Sequence, residues 1–342
     1  AGWALIILGN GLGFVFAAGL TIFCGVLGFQ VIMRLQRWLT LATLVLSAGY
    51  MALMVSKINW TAIHALPSGN FQALLGATIL GITGIGLGWV NSAADYSRYL
   101  PRDSSSRGVI GWTIFGSSVV PIIMVIFGAL LAGSSADLNN RIASDPIGAL
   151  TDSLPTWYLI PFVIVAVLGL VGGAILDLYS SGLTLVSIGL PVKRHIAAGL
   201  DGVIMTLGTI YFVWIASNFF GAFQGFLITL GVPLAAWSGI FVADVLMRKK
   251  EYSEADLFDR NGRYGAWNSK SISILAIATF VGWGFVTNTF AGWLAWQGYL
   301  LGPLGGKSGA WAFTNIGVLF ALALGATGYY LVCRSEVSGQ EN

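Results

Sequence analysis

The sequence predicts an all-α integral membrane fold of about nine transmembrane helices, and three observations lead there. The hydrophobic share of the 342 residues is 56% and the charged share 9%, against about 25% charged in an ordinary soluble domain. Apolar runs near the roughly 20 residues that cross a bilayer as a helix recur along the chain, too long for barrel strands of about 10 alternating residues. The 17 Lys and Arg residues also alternate, fourteen on one set of connections and three on the other, and an excess of Lys and Arg marks cytoplasmic loops.

Taken in order, the expected spans are residues 4–27, 38–56, 71–97, 109–132, 156–189, 197–217, 222–247, 271–295 and 312–333. The first carries Gly9, Gly11, Gly13, Gly19 and Gly25, spaced so that helix backbones can approach closely. Arg34 and Arg37 precede the second, and Arg98, Arg102 and Arg107 separate the third from the fourth. Lys193 and Arg194 lie between the fifth and sixth. Arg248, Lys249, Lys250, Arg260, Arg263 and Lys270 fill the connection between the seventh and eighth, and Arg334 follows the ninth. The intervening connections hold only Lys57, Arg141 and Lys307. This pattern places the carboxyl terminus in the cytoplasm and, with nine spans, Ala1 outside the cell membrane. An outside start with no targeting segment implies that upstream helices are missing. The expected organisation is a single transmembrane domain over residues 1–342, incomplete at its amino end.

Composition also excludes. The formal charge of +3 is scattered over loops and forms no basic stripe, so no nucleic-acid partner is expected. Cys24 and Cys333 lie in apolar runs and read as packing residues, not as a disulfide. His64 and His195 are far apart in sequence, so no metal-ligand spacing exists. With no nucleophile and base arrangement and no phosphate-cradling loop, neither an enzyme nor an ATP-driven pump is expected, and no cofactor is called for. Gly11-x-Gly13 lacks the preceding strand and following acidic residue of a dinucleotide fingerprint, and Asn59-Trp60-Thr61 is too short a match to carry weight.

Two polar strings inside apolar runs carry the chemistry: residues 88–99 of the third span and 176–184 of the fifth. Polar and ionisable groups at membrane depth are costly and usually mark a substrate or ion path, which makes transport the first hypothesis. The third span contains Gly76, Gly81, Gly84, Gly86 and Gly88 and can unwind near its middle, freeing backbone groups for a ligand. Trp89 follows the glycines. Its indole face suits a flat heteroaromatic solute, although a tryptophan among 13 also suits plain packing between helices. Asn91, Asp95 and Arg98 or Tyr99 share one face of a continuous helix, and Asp95 with Arg98 is spaced for a structural ion pair. In the fifth span Asp177, Ser180, Ser181 and Thr184 form one polar stripe. Three readings compete for Asp177: hydrogen bonding to substrate, proton coupling, or a buried polar knot between helices. Asp244 is expected to pair with the basic cluster that follows it.

Four short patterns in order then resemble the purine-cytosine permease branch of the nucleobase:cation symporter-1 family. They are Gly88-Trp89-x-Asn91-x-x-x-Asp95-Tyr96-x-Arg98-Tyr99-x-Pro101; Asp177-x-Tyr179-Ser180-Ser181-Gly182-Leu183; Leu190-x-Val192-x-Arg194 with Asp201-Gly202; and Pro233, Gly239-Ile240 and Asp244 before basic residues. The resemblance implies a twelve-helix plan of two five-helix inverted repeats with broken helices plus two further helices, of which this chain would supply helices four to twelve. It implies inward transport of a nucleobase or related ureide by cation symport. On that resemblance Trp89 stacks on the substrate ring with Gly88 supplying backbone contact, and Asp177 falls at or next to a position whose side chain hydrogen-bonds the substrate edge; Asn91, Ser180 and Ser181 are the further candidate substrate-binding residues. Where sodium-using relatives place hydroxyl groups, this chain has Val171, Gly172 and Gly173, so the coupling ion is expected to be H+ rather than Na+, with Asp177 as its carrier. The rival readings are an amino-acid carrier of the same architecture and a truncated remnant that does not transport.

Overall fold

The computed structural model describes residues 2–27, 29–189, 191–215, 219–288 and 292–341, and all regular structure among them is helical. The principal helices are α1 (Gly2–Gly25), α2 (Phe29–Met54), α3 (Phe71–Gly81), α4 (Ala93–Ser97), α5 (Ser106–Ile114), α6 (Val120–Gly133), α7 (Thr156–Ser187), α8 (Arg194–Ile210), α9 (Phe219–Met247), α10 (Ser269–Gly284) and α11 (Gly317–Gln340). Among the described residues, six stretches are both long and apolar enough to cross a bilayer: Phe29–Lys57, Phe71–Val90, Ser106–Gly133, Thr156–Ser187, Gly221–Met247 and Gly317–Gln340. The other three expected spans are occupied by α1, α8 and α10, of 24, 17 and 16 residues. The protein is thus an all-α, multi-pass membrane protein.

Several boundaries differ from expectation, each for a local reason. The second span begins at Phe29, so Arg34 and Arg37 lie within the first turns of α2; long basic side chains can extend to the interface from inside a helix end. The eighth ends at Gly284, where the chain leaves the helix and turns back. There Gly298 N donates to Trp283 O at 2.9 Å and Leu300 N to Gly284 O at 2.9 Å. Asn59 and Asn70, neither of them expected to act structurally, cap the helices Trp60–His64 and α3 by accepting from Ala62 N and Ala73 N.

The expected third span, 71–97, is not one helix. After α3 the backbone widens to i→i+5 bonding over Ile82–Leu87, makes one α turn over Gly88–Val90, and leaves the helix at Asn91 and Ser92 before α4 begins. The glycine stretch is therefore wound rather than unwound. Gly88 N–H donates to Thr83 O inside the ladder. A wide turn absorbs one extra residue without breaking hydrogen bonds, whereas Asn and Ser favour turns, so the helix stops after the glycines and not within them.

The helices form two compact units, Ala1–Leu66 with Ala94–Phe219 and Pro67–Ala93 with Phe220–Asn342. In the first, α7 is the hub, packed on α1, α2 and α8. Leu178 of α7 is fully buried and fills the space that a side chain at Gly25 would need, as Ile22 of α1 does at Gly202. Gln36 Nε2 donates to Gly172 O at 2.5 Å, joining α2 to α7. Cys24 sits in the same apolar cluster as Ile32, Val171, Ile175 and Tyr179, as a packing residue. In the second unit Val232, Ala235 and Ala236 of α9 meet Val286, Val318 and Ala321, all essentially without exposure. Here glycine permits contact between backbones, since a side chain at Gly317 would strike Gly282 O and one at Gly239 would strike Leu322 O.

Candidate functional site

The polar stripe of α7 comes out differently at each position. Ser180 is 5% exposed, and its hydroxyl donates to Asp95 Oδ2 at 2.5 Å. Asp177, three residues earlier, is exposed, and neither it nor Ser181 has a hydrogen-bond or ion-pair partner among the described residues. Asp201 on α8 is close enough to act electrostatically on Asp177, and sequence reasoning had used it only as part of a pattern. Asp95 forms no ion pair with Arg98 among the described residues. Instead the Asp95 carboxylate accepts from Ser180, and the Arg98 guanidinium lies 5.8 Å from the Tyr99 ring centroid.

Around this stripe three aromatic hydroxyls bind α4 and the following turn to α7. Tyr96 OH donates to Leu176 O at 2.6 Å, and the Tyr99 and Tyr179 hydroxyls share a hydrogen bond of 2.6 Å. Phe29, at the start of α2, stacks on Tyr99 with ring centroids 3.9 Å apart. Arg194 completes the arrangement. Its guanidinium donates to Gly25 O, Val26 O and Leu27 O at 3.3, 3.0 and 2.9 Å and lies 4.7 Å from the Tyr179 ring centroid. The last carbonyls of a helix have no partner within it and carry the negative end of its dipole, so a cation held there stabilises the end of α1. Only its place beside other family-like residues had singled out Arg194 in the sequence.

Gly88, Trp89 and Asn91 belong to the second unit, whereas Asp95, Asp177, Ser180 and Ser181 belong to the first. Trp89 is 38% exposed and has no ring or hydrogen-bond partner among the described residues. Six residues earlier, Thr83 is 3% exposed, donates to Ile79 O at 2.7 Å, and occupies the space beside Gly231 of α9. Gly84 and Gly86 have no neighbouring atom within 4 Å of where a side chain would start. Unlike the packing glycines of α10 and α11, they leave open space beside the wide turn.

At the cytoplasmic end expected for α9, Asp244 does pair with the basic cluster. Arg248 Nε and Nη2 donate to its two carboxylate oxygens at 2.8 and 2.9 Å, Tyr329 OH donates at 2.6 Å, and Tyr252 OH also donates to it. Burial alone would lower the Arg248 guanidinium, but the bonded Asp244 carboxylate outweighs it and holds the group above its ordinary value. Tyr252 is pushed up to about 12, first by burial and then by its bond to Asp244. This is a closed structural knot with its valences filled.

The site thus consists of an exposed carboxylate without a partner among the described residues on the 32-residue apolar helix α7 of a multi-pass membrane protein, and such groups are costly at membrane depth. The chain belongs to the family described as permeases for cytosine/purines, uracil, thiamine and allantoin, whose profile matches residues 4–302. It is also similar to the Bacillus subtilis (strain 168) protein named "Putative purine-cytosine permease YxlA", with 24% identity over 257 residues, 73% of this chain and 52% of that protein. The chain spans about half the length of this curated relative. No solved structure matches it.

Proposed function

We propose that the protein is a secondary transporter that imports a small planar nucleobase, such as cytosine or a purine, across the cell membrane by cation symport, with H+ favoured over Na+. Family membership supports the substrate class, and the observation that carries the reading is the pair Asp177 and Ser181. On a 32-residue apolar helix these side chains have no hydrogen-bond or ion-pair partner among the described residues, and an ionisable group at membrane depth is costly and usually functional. Trp89, likewise without a partner, supplies the stacking face. Gly88 and Asn91 flank it, and Ser180, already donating to Asp95, holds the stripe in place and accepts from the substrate through its remaining lone pair. Asp177, with Asp201 beside it, takes the coupling proton.

The test is uptake of radiolabelled cytosine and adenine into cells expressing the complete coding sequence, at acidic and neutral pH, with and without sodium. Uptake that rises at acidic pH, ignores sodium, and is lost in Trp89→Ala and Asp177→Asn is expected. If uptake is absent, or both variants transport normally, the assignment is wrong.

A further inference from the structure

A concavity lies wholly within the second unit, away from Trp89 in the chain. It encloses about 220 Å3 and is lined by Gly76 of α3, Gln224 and Gly225 at the start of α9, and Thr287, Phe313 and Asn315 of the segment between α10 and α11. Three features make it more than a packing gap. The amide side chains of Gln224 and Asn315 have no hydrogen-bond partner among the described residues, although they line one small space. Asn315 has φ 54°, the only non-glycine residue with positive φ among those described. This conformation is several-fold enriched in Asn but costs energy, and such strain collects at ligand sites. The wall is also rigid: Thr287 Oγ1 donates to Ala312 O, Asn288, 4% exposed, fills the space beside Gly225, and the Phe313 carbonyl lies where a side chain at Gly76 would go.

The lining selects a ligand class. A carboxamide offers an N–H donor and a C=O acceptor in one plane, the geometry by which Asn and Gln bind the edge of a base in two-point fashion. Two of them, with no charged side chain in the lining and the 57% exposed Phe313 ring beside them, suit a neutral planar ring carrying adjacent donors and acceptors. The volume is below the roughly 300 Å3 at which drug-sized sites begin, which suits a free base and not a sugar-bearing one. We infer that this cavity is a second binding site for a neutral nucleobase-like ring, held by Gln224 and Asn315 and independent of Trp89. The naming of the ring as a nucleobase rests on the function proposed above; the site itself does not.

Equilibrium binding of radiolabelled cytosine and adenine to the purified full-length protein decides it. We expect two base molecules per chain at saturation, falling to one in Gln224→Ala/Asn315→Gly, where glycine keeps the positive φ accessible. We also expect one in Trp89→Ala, and none when the three changes are combined. A stoichiometry of one in the wild type, unchanged in the Gln224/Asn315 variant, overturns the second site and leaves the transport reading standing. Binding of neither base to any variant overturns the transport reading instead. If benzamide, a neutral ring with a single carboxamide, then fails to compete for anything at the cavity, as followed by quenching of a fluorophore attached at a Ser308→Cys substitution, the site falls as well.

Discussion

Ser180 was expected to face the substrate, yet the structure gives its hydroxyl hydrogen to Asp95, so replacing it by alanine separates the two roles. The bond is 2.5 Å long with the serine 5% exposed, within the short range of hydroxyl-to-carboxylate bonds. Such charge-assisted bonds contribute about 1.5–3 kcal/mol net. Asp95 is only half-buried, so water replaces part of the loss, and about 2 kcal/mol is expected for Ser180→Ala. Equilibrium unfolding in mixed micelles reads this directly, and a double-mutant cycle with Asp95→Ala isolates the pair, with a coupling of about 1.5 kcal/mol expected. Ser181→Ala, which removes no bond in the protein, should alter stability by less than about 0.5 kcal/mol. It should instead raise the KM of cytosine uptake about tenfold, equivalent to about 1.4 kcal/mol. Ser180→Ala, once uptake is normalised to folded protein, should change KM less than Ser181→Ala does. A coupling below about 0.5 kcal/mol, or the opposite order of KM effects, would refute the assignment of Ser180 to Asp95.

Three further outcomes follow from the same geometry. Arg194→Ala removes three bonds to the end of α1 and the contact with Tyr179 and should cost about 2–4 kcal/mol; Arg194→Lys, which cannot span three carbonyls, should recover less than half of that in the same unfolding assay. Asp244→Asn leaves Arg248, whose side chain is 9% exposed, charged and unpaired, at a cost of about 3–5 kcal/mol, whereas Asp244→Asn/Arg248→Met should return to within about 1 kcal/mol of wild type, because the penalty is that of a lone buried charge. Tyr252 has its folded pKa raised to about 12 from about 10 in an unfolded chain. Its contribution is therefore complete below pH 10 and disappears as pH rises through 12. The stability difference between wild type and Tyr252→Phe, measured across that window, should shrink, and a constant difference would count against the Asp244 knot.

Membrane residence and helical class were legible because they depend on composition and on runs of one polarity, which any helix of the right length expresses whatever its neighbours. Pairing of Asp244 with Arg248 was legible for the same reason, being an i, i+4 contact within one helix and its continuation. The fate of Asp95 was not. Its sequence neighbour Arg98 offered a local partner, while Ser180, 85 residues away, became one only because α4 starts afresh after Asn91 and Ser92 and packs on α7. Nor could the sequence tell packing glycines from open ones, since Gly317 and Gly84 differ only in what stands opposite. The two amides Gln224 and Asn315 passed unnoticed because nothing in a list of residues brings the start of one helix beside the loop before another. The sequence by itself determined that the chain lies in the membrane as apolar helices and that the carboxylate of Asp177 is out of place there. Only the tertiary structure decided which of the described polar groups have a partner within the protein and which do not, because hydrogen-bond satisfaction is a property of distances between segments and not of their order.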